Sequence, residues 1–286
     1  MIKKTTEKVN INDRRVINGK DADVVQLYPM KHTFAWDAYN VGNANHWLPT
    51  EIGMQKDVEQ WRSNNVLTDD ERKAFKTVLG FFTTADSIAA NNLVLAFYRH
   101  ITSPECRLYY LRQAYEEAIH THAYQYIVES LGLDSGEIFN MYREVDAIYN
   151  KEEFILSFNE GIMDPHFETG TFESDQKFLE NMCVFSLILE GIFFYSSFAV
   201  IFGFQRQNKM TGSAEQIQYI MRDESAHLNF GIDMINAIKV EQPELWTTEF
   251  QERIRALVEK AVGLEYTFAT EVFPKGIFGM NAEGFK

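Results

Sequence analysis

Two copies of Glu-x-x-His stand out, Glu117-Ala-Ile-His120 and Glu224-Ser-Ala-His227. On an α-helix this spacing puts both side chains on one face, roughly 5–6 Å apart at Cβ, so each pair can grip one metal ion. Each copy follows a solitary carboxylate in an apolar stretch: Asp86 lies 31 residues before Glu117, and Glu190 lies 34 before Glu224. Four carboxylates and two histidines would complete a dinuclear site. Oxygen donors with imidazole suit iron or manganese, and no thiolate is near enough to favour a softer ion. One Glu-x-x-His arises easily by chance. Two copies among apolar neighbours (Ala118, Ile119, Ala123 and Tyr126; Ala226, Leu228 and Phe230) are a stronger signal, because ionised carboxylates buried there without a metal would be costly. Buried carboxylates paired with arginine or lysine are the bland alternative, and these helices offer few basic partners.

The first copy sits in Glu116-Glu117-Ala-Ile-His120-Thr-His122, so Glu116 with His120 is also an allowed helical pair. We take Glu117 with His120, which repeats the spacing at 224 and 227 and keeps Tyr124 on the same face. His122 then points about 200° away around the helix, and its replacement should leave metal content intact. Tyr124, one turn past His120, puts a phenol beside the metal pair. Phe194 and Phe198 lie one and two turns beyond Glu190, and Ile220 lies one turn before Glu224. In a bundle whose second and third helices are parallel and whose fourth is opposed, these converge at the level of Tyr124 as a dry apolar pocket. A phenol so shielded beside an oxidising metal centre could hold a long-lived radical; ordinary core packing is the alternative.

Strand signals are nearly absent and helix starts are well marked. Thr68 with Glu71 makes a capping box before a helix running to about residue 100, and Ser103-Pro104 opens one that ends near Gly132. Asp134 with Glu137 starts a shorter helix, and residues 151–163 suit another. A long apolar helix is expected over 174–206. Ser213 with Gln216 caps one to about residue 239, and Gln242-Pro243 starts one ending near Val272. Tight turns at 101–103 and 207–213 make two antiparallel hairpins, separated by a crossover of about forty residues. The chain is therefore expected to be all-α. A four-helix bundle with one long crossover is the ferritin-like arrangement, and this ligand set is the known signature of ferritin-like di-iron and di-manganese carboxylate proteins. Each hairpin carries one lone carboxylate and one Glu-x-x-His, as in a diverged internal duplication. We expect one domain over 1–286, with about the first thirty residues irregular.

With 41 acidic and 27 basic residues, a formal charge of -14, the chain would repel nucleic acid and anionic membrane surfaces. Two cysteines, Cys106 and Cys183, suggest neither a disulfide framework nor a cysteine metal site. The polar start leads into no secretory apolar stretch, which points to the cytoplasm. Residues 182–204 are apolar enough to span a membrane, but Glu190 near the middle and the lack of a second comparable span argue for a buried bundle helix.

The chain resembles the radical-generating small subunit of class I ribonucleotide reductase from the Trp47 region to about residue 280. The resemblance rests on Thr84-Ala-Asp86-Ser87-Ile88, Glu117-Ala-Ile-His120-Thr-His-Ala-Tyr124, Leu189-Glu190 through Phe198, and Arg222-Asp223-Glu224-Ser-Ala-His227-Leu228. It implies Asp86, Glu117 and His120 on one metal and Glu190, Glu224 and His227 on the other, with bridging carboxylates among the last group. It also implies Tyr124 as the radical site, with Phe194, Phe198 and Ile220 as its pocket. Trp47 is implied as the electron donor during oxygen activation, Asp223 as its link to His120, and Tyr219 as a further relay. The implied partners are a second copy of the chain, as a homodimer, and the large catalytic subunit that reduces ribonucleotides to deoxyribonucleotides.

Within that family the ligand intervals look closest to the chlamydial-type branch, whose members have phenylalanine at the radical position, glutamate as first ligand and a manganese–iron centre. Tyr124 and Asp86 depart from that pattern and agree with tyrosyl-radical members. The resemblance thus favours a di-iron centre, with dimanganese or mixed manganese–iron open. Family members continue past 280–286 with another helix and a docking tail, so the sequence as given is expected to assemble its cofactor yet couple poorly to nucleotide reduction. The competing readings are a ferritin-like ligand-binding oxidase or hydroxylase, which needs an open substrate pocket, and a metal-storage ferritin-like protein, which needs no Trp47, Asp223 and Tyr124 around one centre.

Overall fold

The computed structural model describes residues 8–20, 24–279, 281 and 283. Among these residues ten α-helices succeed one another: α1 (Thr33–Ala44), α2 (Gln55–Arg62), α3 (Asp69–Asn91), α4 (Pro104–Leu131), α5 (Ser135–Glu144), α6 (Asp146–Met163), α7 (Phe172–Cys183), α8 (Phe194–Arg206), α9 (Thr211–Glu241) and α10 (Thr248–Val272). Wide π-helical turns extend α3 over Asn92–Phe97 and join α7 to α8 over Val184–Phe193. An isolated antiparallel bridge joins Ile17 and Ile101.

Ring contacts fix the directions of the core helices. On α4, Tyr110 meets Phe97 of the α3 extension, which meets Phe185 of the π segment; fourteen residues on, Tyr124 meets Phe82, which meets Phe198. Numbers fall along α3 while they rise along α4 and from the π segment into α8. The second and third core helices are therefore parallel, as a single crossover demands, and α3 is antiparallel to both. Phe230 of α9 meets Tyr110 while Glu224 lies beside His120, so α9 also opposes α4. The crossover is itself helical, α5 packing on α3 and α6 on α10.

Local signals explain most helix ends. Glu71 N donates to Thr68 Oγ1 and Thr68 N to Glu71 Oε2, completing the capping box. Asp134 accepts from Glu137 N, and α4 stops where Gly132 turns left-handed at φ 68°. Other boundaries differ from expectation. Thr171, with Ser174, opens the long apolar helix two residues early, and α6 begins at Asp146 instead of 151. Ser213 is not the cap of α9. It lies inside the helix, and the buried Asp57 of α2 reaches across to accept from Gly212 N and from Ser213 N and Oγ at 2.6–2.9 Å. Pro243 starts only a 3-10 turn, and Thr247 caps α10. Helices α1 and α2 had no sequence prediction.

Residues 1–7 and 21–23 lie outside the described residues. The described part of the N-terminal arm is largely irregular, with a 3-10 turn at Ile11–Asp13, and is anchored at a few residues. Arg14, Val16 and Ile17 are fully buried, and Val16 N donates to Glu241 at the end of α9. The expectation of a single membrane-length stretch needs correction: Asp69–Phe97 and Phe172–Arg206 both reach that length and hydropathy, and 67% of each apolar window is buried in the fold. Close approach at the bundle centre depends on Gly231, where a Cβ would sit 2.1 Å from Ser186 Oγ in the π segment.

Candidate metal centre

Asp86 comes from α3, Glu117 and His120 from α4, Glu190 from the π segment, and Glu224 and His227 from α9; all six are fully buried. Their donor atoms form two overlapping groups, each within 4.8 Å: Asp86, Glu117, His120 and Glu224, and Glu117, Glu190, Glu224 and His227. His120 Nδ1 lies 3.2 Å from Glu224 and 3.5 Å from Glu117, and His227 Nδ1 lies 3.3 Å from Glu117 and 3.4 Å from Glu224. Glu117 and Glu224 thus each stand between the two histidines.

These atoms want ions. Both oxygens of Asp86, Glu117 and Glu224, Oε2 of Glu190, and Nδ1 of both histidines have no hydrogen-bond partner. Buried polar atoms left so are costly, and neither lysine nor arginine enters the cluster. Two divalent cations would balance four carboxylates charge for charge, so the residues fit a dinuclear centre of hard ions. The electrostatics of the cluster show the same strain. Burial, with Glu117 and Glu224, holds Asp86 well above the usual carboxylate range, and burial with Glu224 does so for Glu190. Burial opposes charge on His120 too, but Asp223, Glu117 and Glu224 outweigh it and raise its pKa.

The other nitrogen of each histidine is held from outside. His120 Nε2 lies 3.4 Å from Asp223 Oδ2, which accepts the Trp47 indole N–H at 2.7 Å. Trp47 stacks on Tyr219, with ring centroids 5.2 Å apart and planes at 22°, and Arg222 pairs with Asp223 and covers Tyr219. The predicted link from Trp47 through Asp223 to His120 is therefore contiguous. His227 Nε2 lies 2.9 Å from Glu116, so the alternative ligand of the sequence reading turns out to grip the opposite histidine. Gln113 donates to Glu190 Oε1 at 2.6 Å. Neither role was read from sequence, although both residues lie within one turn of Glu117. His122 is exposed, on the far side of α4 as expected.

Tyr124 is fully buried, and its hydroxyl lies beside Asp86 without hydrogen-bond geometry to any group; burial, with Asp86, raises its pKa well above the usual phenol range. The ring that stacks on it is Phe82, 5.3 Å away at 10°. Phe194 and Phe198, which the sequence placed in the pocket, meet Phe82 at 6.2 and 5.4 Å and each other at 5.9 Å. Ile220 is fully buried one turn before Glu224. Phe82 was missed, though it sits one turn before Asp86 on the same face of α3.

Comparison with known proteins points one way. The profile of the family described as "Ribonucleotide reductase, small chain" matches residues 24–286. The chain is 50% identical over 279 residues to a ribonucleoside-diphosphate reductase subunit beta of Chlamydia pneumoniae, covering 98% of this chain and 80% of that one. It is 29% identical over 270 residues to the corresponding subunit of Halalkalibacterium halodurans, covering 94% and 75%. Among solved structures, a ribonucleotide reductase R2 subunit from Clostridium botulinum superposes with a TM-score of 0.84 at 29% identity, over 94% of this chain and 82% of that one. A dimanganese(II)-NrdF from Streptococcus sanguinis shares the fold at a TM-score of 0.73 and 20% identity, over 87% and 83%. The all-helical ferritin-like bundle is common to them, and the oxidase and storage readings give way. With half its residues shared with a chlamydial reductase subunit along nearly its whole length, the chain belongs to the small chains of ribonucleotide reductase.

Proposed function

We propose that this chain is the radical-generating subunit of a class I ribonucleoside-diphosphate reductase, acting as one dinuclear-metal domain. Asp86, Glu117, His120, Glu190, Glu224 and His227 would hold the two ions, iron by preference, with dimanganese or manganese–iron as the other options. When bound, the ions supply with dioxygen the oxidising equivalents that remove one electron from Tyr124. Asp86 is the carboxylate beside the Tyr124 hydroxyl and the group in position to take its proton. Phe82, backed by Phe194 and Phe198, excludes water from the phenol, and Ile220 completes that wall. Asp223 holds the His120 ring in register and receives the indole proton of Trp47, which with Tyr219 forms the path for electrons toward the surface.

The observation that carries this reading is the convergence of unpartnered ligand atoms from four helical segments beside an equally buried phenol. Small chains of this family work with a large catalytic subunit, typically as dimers. Here a homodimer is supported by apolar side chains left in solvent on neighbouring helices, Val41 of α1, Leu111 and Tyr115 of α4, and Val94 and Leu95 of the α3 extension. The net charge of -14 and two buried free cysteines suit a cytoplasmic protein that binds neither nucleic acid nor membrane. The test is to load the chain with iron or manganese, admit oxygen, and record its electron paramagnetic resonance. A tyrosyl radical in the wild type that vanishes in Tyr124→Phe, with metal content unchanged, is expected; an unaltered signal in that variant would sink the assignment.

A further inference from the structure

The two histidines are backed by a reciprocal exchange. The residue before Glu224, Asp223, reaches His120, and the residue before Glu117, Glu116, reaches His227. Each backing carboxylate is gripped by an arginine of its own helix: Arg222 holds Asp223, and Arg112 Nε donates to Glu116 Oε1 at 3.0 Å. Each arginine also covers a tyrosine of that helix, Tyr219 in one case and Tyr115 in the other. The halves then diverge. Asp223 Oδ2 is shared with the Trp47 indole, whereas each Glu116 oxygen has one partner, Arg112 on Oε1 and His227 on Oε2.

Glu116 and Arg112 are also built into the packing. Glu116 is 3% exposed and Arg112 10%, at the side chain. A Cβ at Gly42 of α1 would stand 3.0 Å from Glu116 Oε1 and 3.2 Å from Arg112 Nε, so α1 lies closely over the pair at a position that has no side chain. A carboxylate buried beside an imidazole and neutralised on its far side is well suited to fix which ring nitrogen carries the proton. With Nε2–H donating to Glu116, Nδ1 is left as the lone-pair donor facing Glu117 and Glu224.

We infer that Glu116, locked by Arg112, is a positioning residue that orients His227 and sets the affinity of the ion held by Glu190 and His227 independently of its neighbour. The inference rests on the proposed dinuclear centre. Its charge logic is local: the Arg112–Glu116 pair is neutral, so the clasp adds orientation without adding net charge to the four carboxylates. The matching clasp on His120 is the one connected to Trp47. Two bound ions would therefore sit in inequivalent settings, the His120 side joined to an aromatic path and the His227 side ending in a closed ion pair.

The test is Mn(II) titration of the metal-free full-length chain followed by electron paramagnetic resonance, which separates isolated from spin-coupled ions without any turnover assay. Wild type should take up two ions per chain as a coupled pair. Glu116→Ala should leave one ion within about threefold of wild type and weaken the other ten- to a hundredfold, giving an isolated-ion spectrum at intermediate Mn(II). Glu116→Gln keeps an acceptor for the Nε2 proton and should fall between. A general structural loss would weaken both ions alike, and that result, or an unchanged second ion in both variants, overturns the inference while the dinuclear reading stands. If Glu116→Ala does not fold, Glu116→Gln decides alone on the same criterion. Failure of the wild type to bind two ions would overturn the dinuclear reading and this inference with it.

Discussion

Trp47 donates its indole N–H to Asp223 over 2.7 Å, across 176 residues of chain, and both side chains are buried. Because Asp223 Oδ2 also lies 3.4 Å from His120 Nε2, one oxygen atom joins an aromatic side chain to the imidazole of a proposed metal ligand. Burial raises the Asp223 pKa, but the hydrogen bonds from His120 and Trp47 outweigh it and hold the carboxylate ionised.

Removing either end of this bond should have a different effect. Trp47→Phe should slow radical formation, followed by stopped-flow absorbance, with two ions still bound. Asp223→Ala should weaken the ion held by His120 ten- to a hundredfold in a metal titration. Equal losses of metal in both variants would mean that the bond is structural.

Phe82 lies flat on Tyr124 and is fully buried. Phe82→Leu should lower stability by about 1–2 kcal/mol, since part of a packed ring is lost. The more specific effect expected is a shorter-lived Tyr124 radical at unchanged metal content, read from the decay of its spectrum. A wild-type lifetime would show that Phe194, Phe198 and Ile220 shield the phenol without it.

The N-terminal arm is pinned by titratable groups remote from the metal ligands. Glu105 Oε1 accepts from the backbone of Lys31 and His32, and His32 lies between Ser103 and Glu241. Burial raises Glu105, but the His32 side chain and these backbone donors outweigh it and bring its pKa to about 2, from an ordinary 4.5. Burial lowers His32, but Glu105 and Glu241 outweigh it and raise its pKa above 6.5. Glu105 therefore contributes stability above pH 4.5 that is lost as pH falls toward 2. His32 contributes stability below pH 6.5 that is lost as pH rises through its raised value. Near pH 5.5, Glu105→Gln should cost about 3 kcal/mol in urea unfolding of the metal-free chain, by breaking a buried pair. The gap to wild type should close on acidification; a gap that persists at pH 2 would contradict the assignment.

How far the site was legible follows the range of the interactions. The convergence of the six candidate ligands, with Glu117 and His120 on one face, could be read because helical periodicity is local: a three-residue step places a glutamate and a histidine on one face whatever surrounds them. The capping box of α3 and the glycine stop of α4 were legible for the same reason. Glu116 could be seen in sequence only as a rival ligand, since its partner His227 is 111 residues away. Phe82 escaped because nothing in α3 states which ring of α4 it will meet. Asp57, the cap of α9, lies 155 residues from the amide it satisfies.

The amino-acid order by itself thus determined the core bundle helices, their inward faces and the inventory of candidate ligands. The tertiary structure alone decided which carboxylates stand between the two histidines, which acid backs which histidine, and which ring covers the phenol. Those outcomes depend on the rotation and height of one helix against another. Packing sets both, through the close approach at Gly42 and Gly231 and the wide π turns that rephase the segment carrying Glu190.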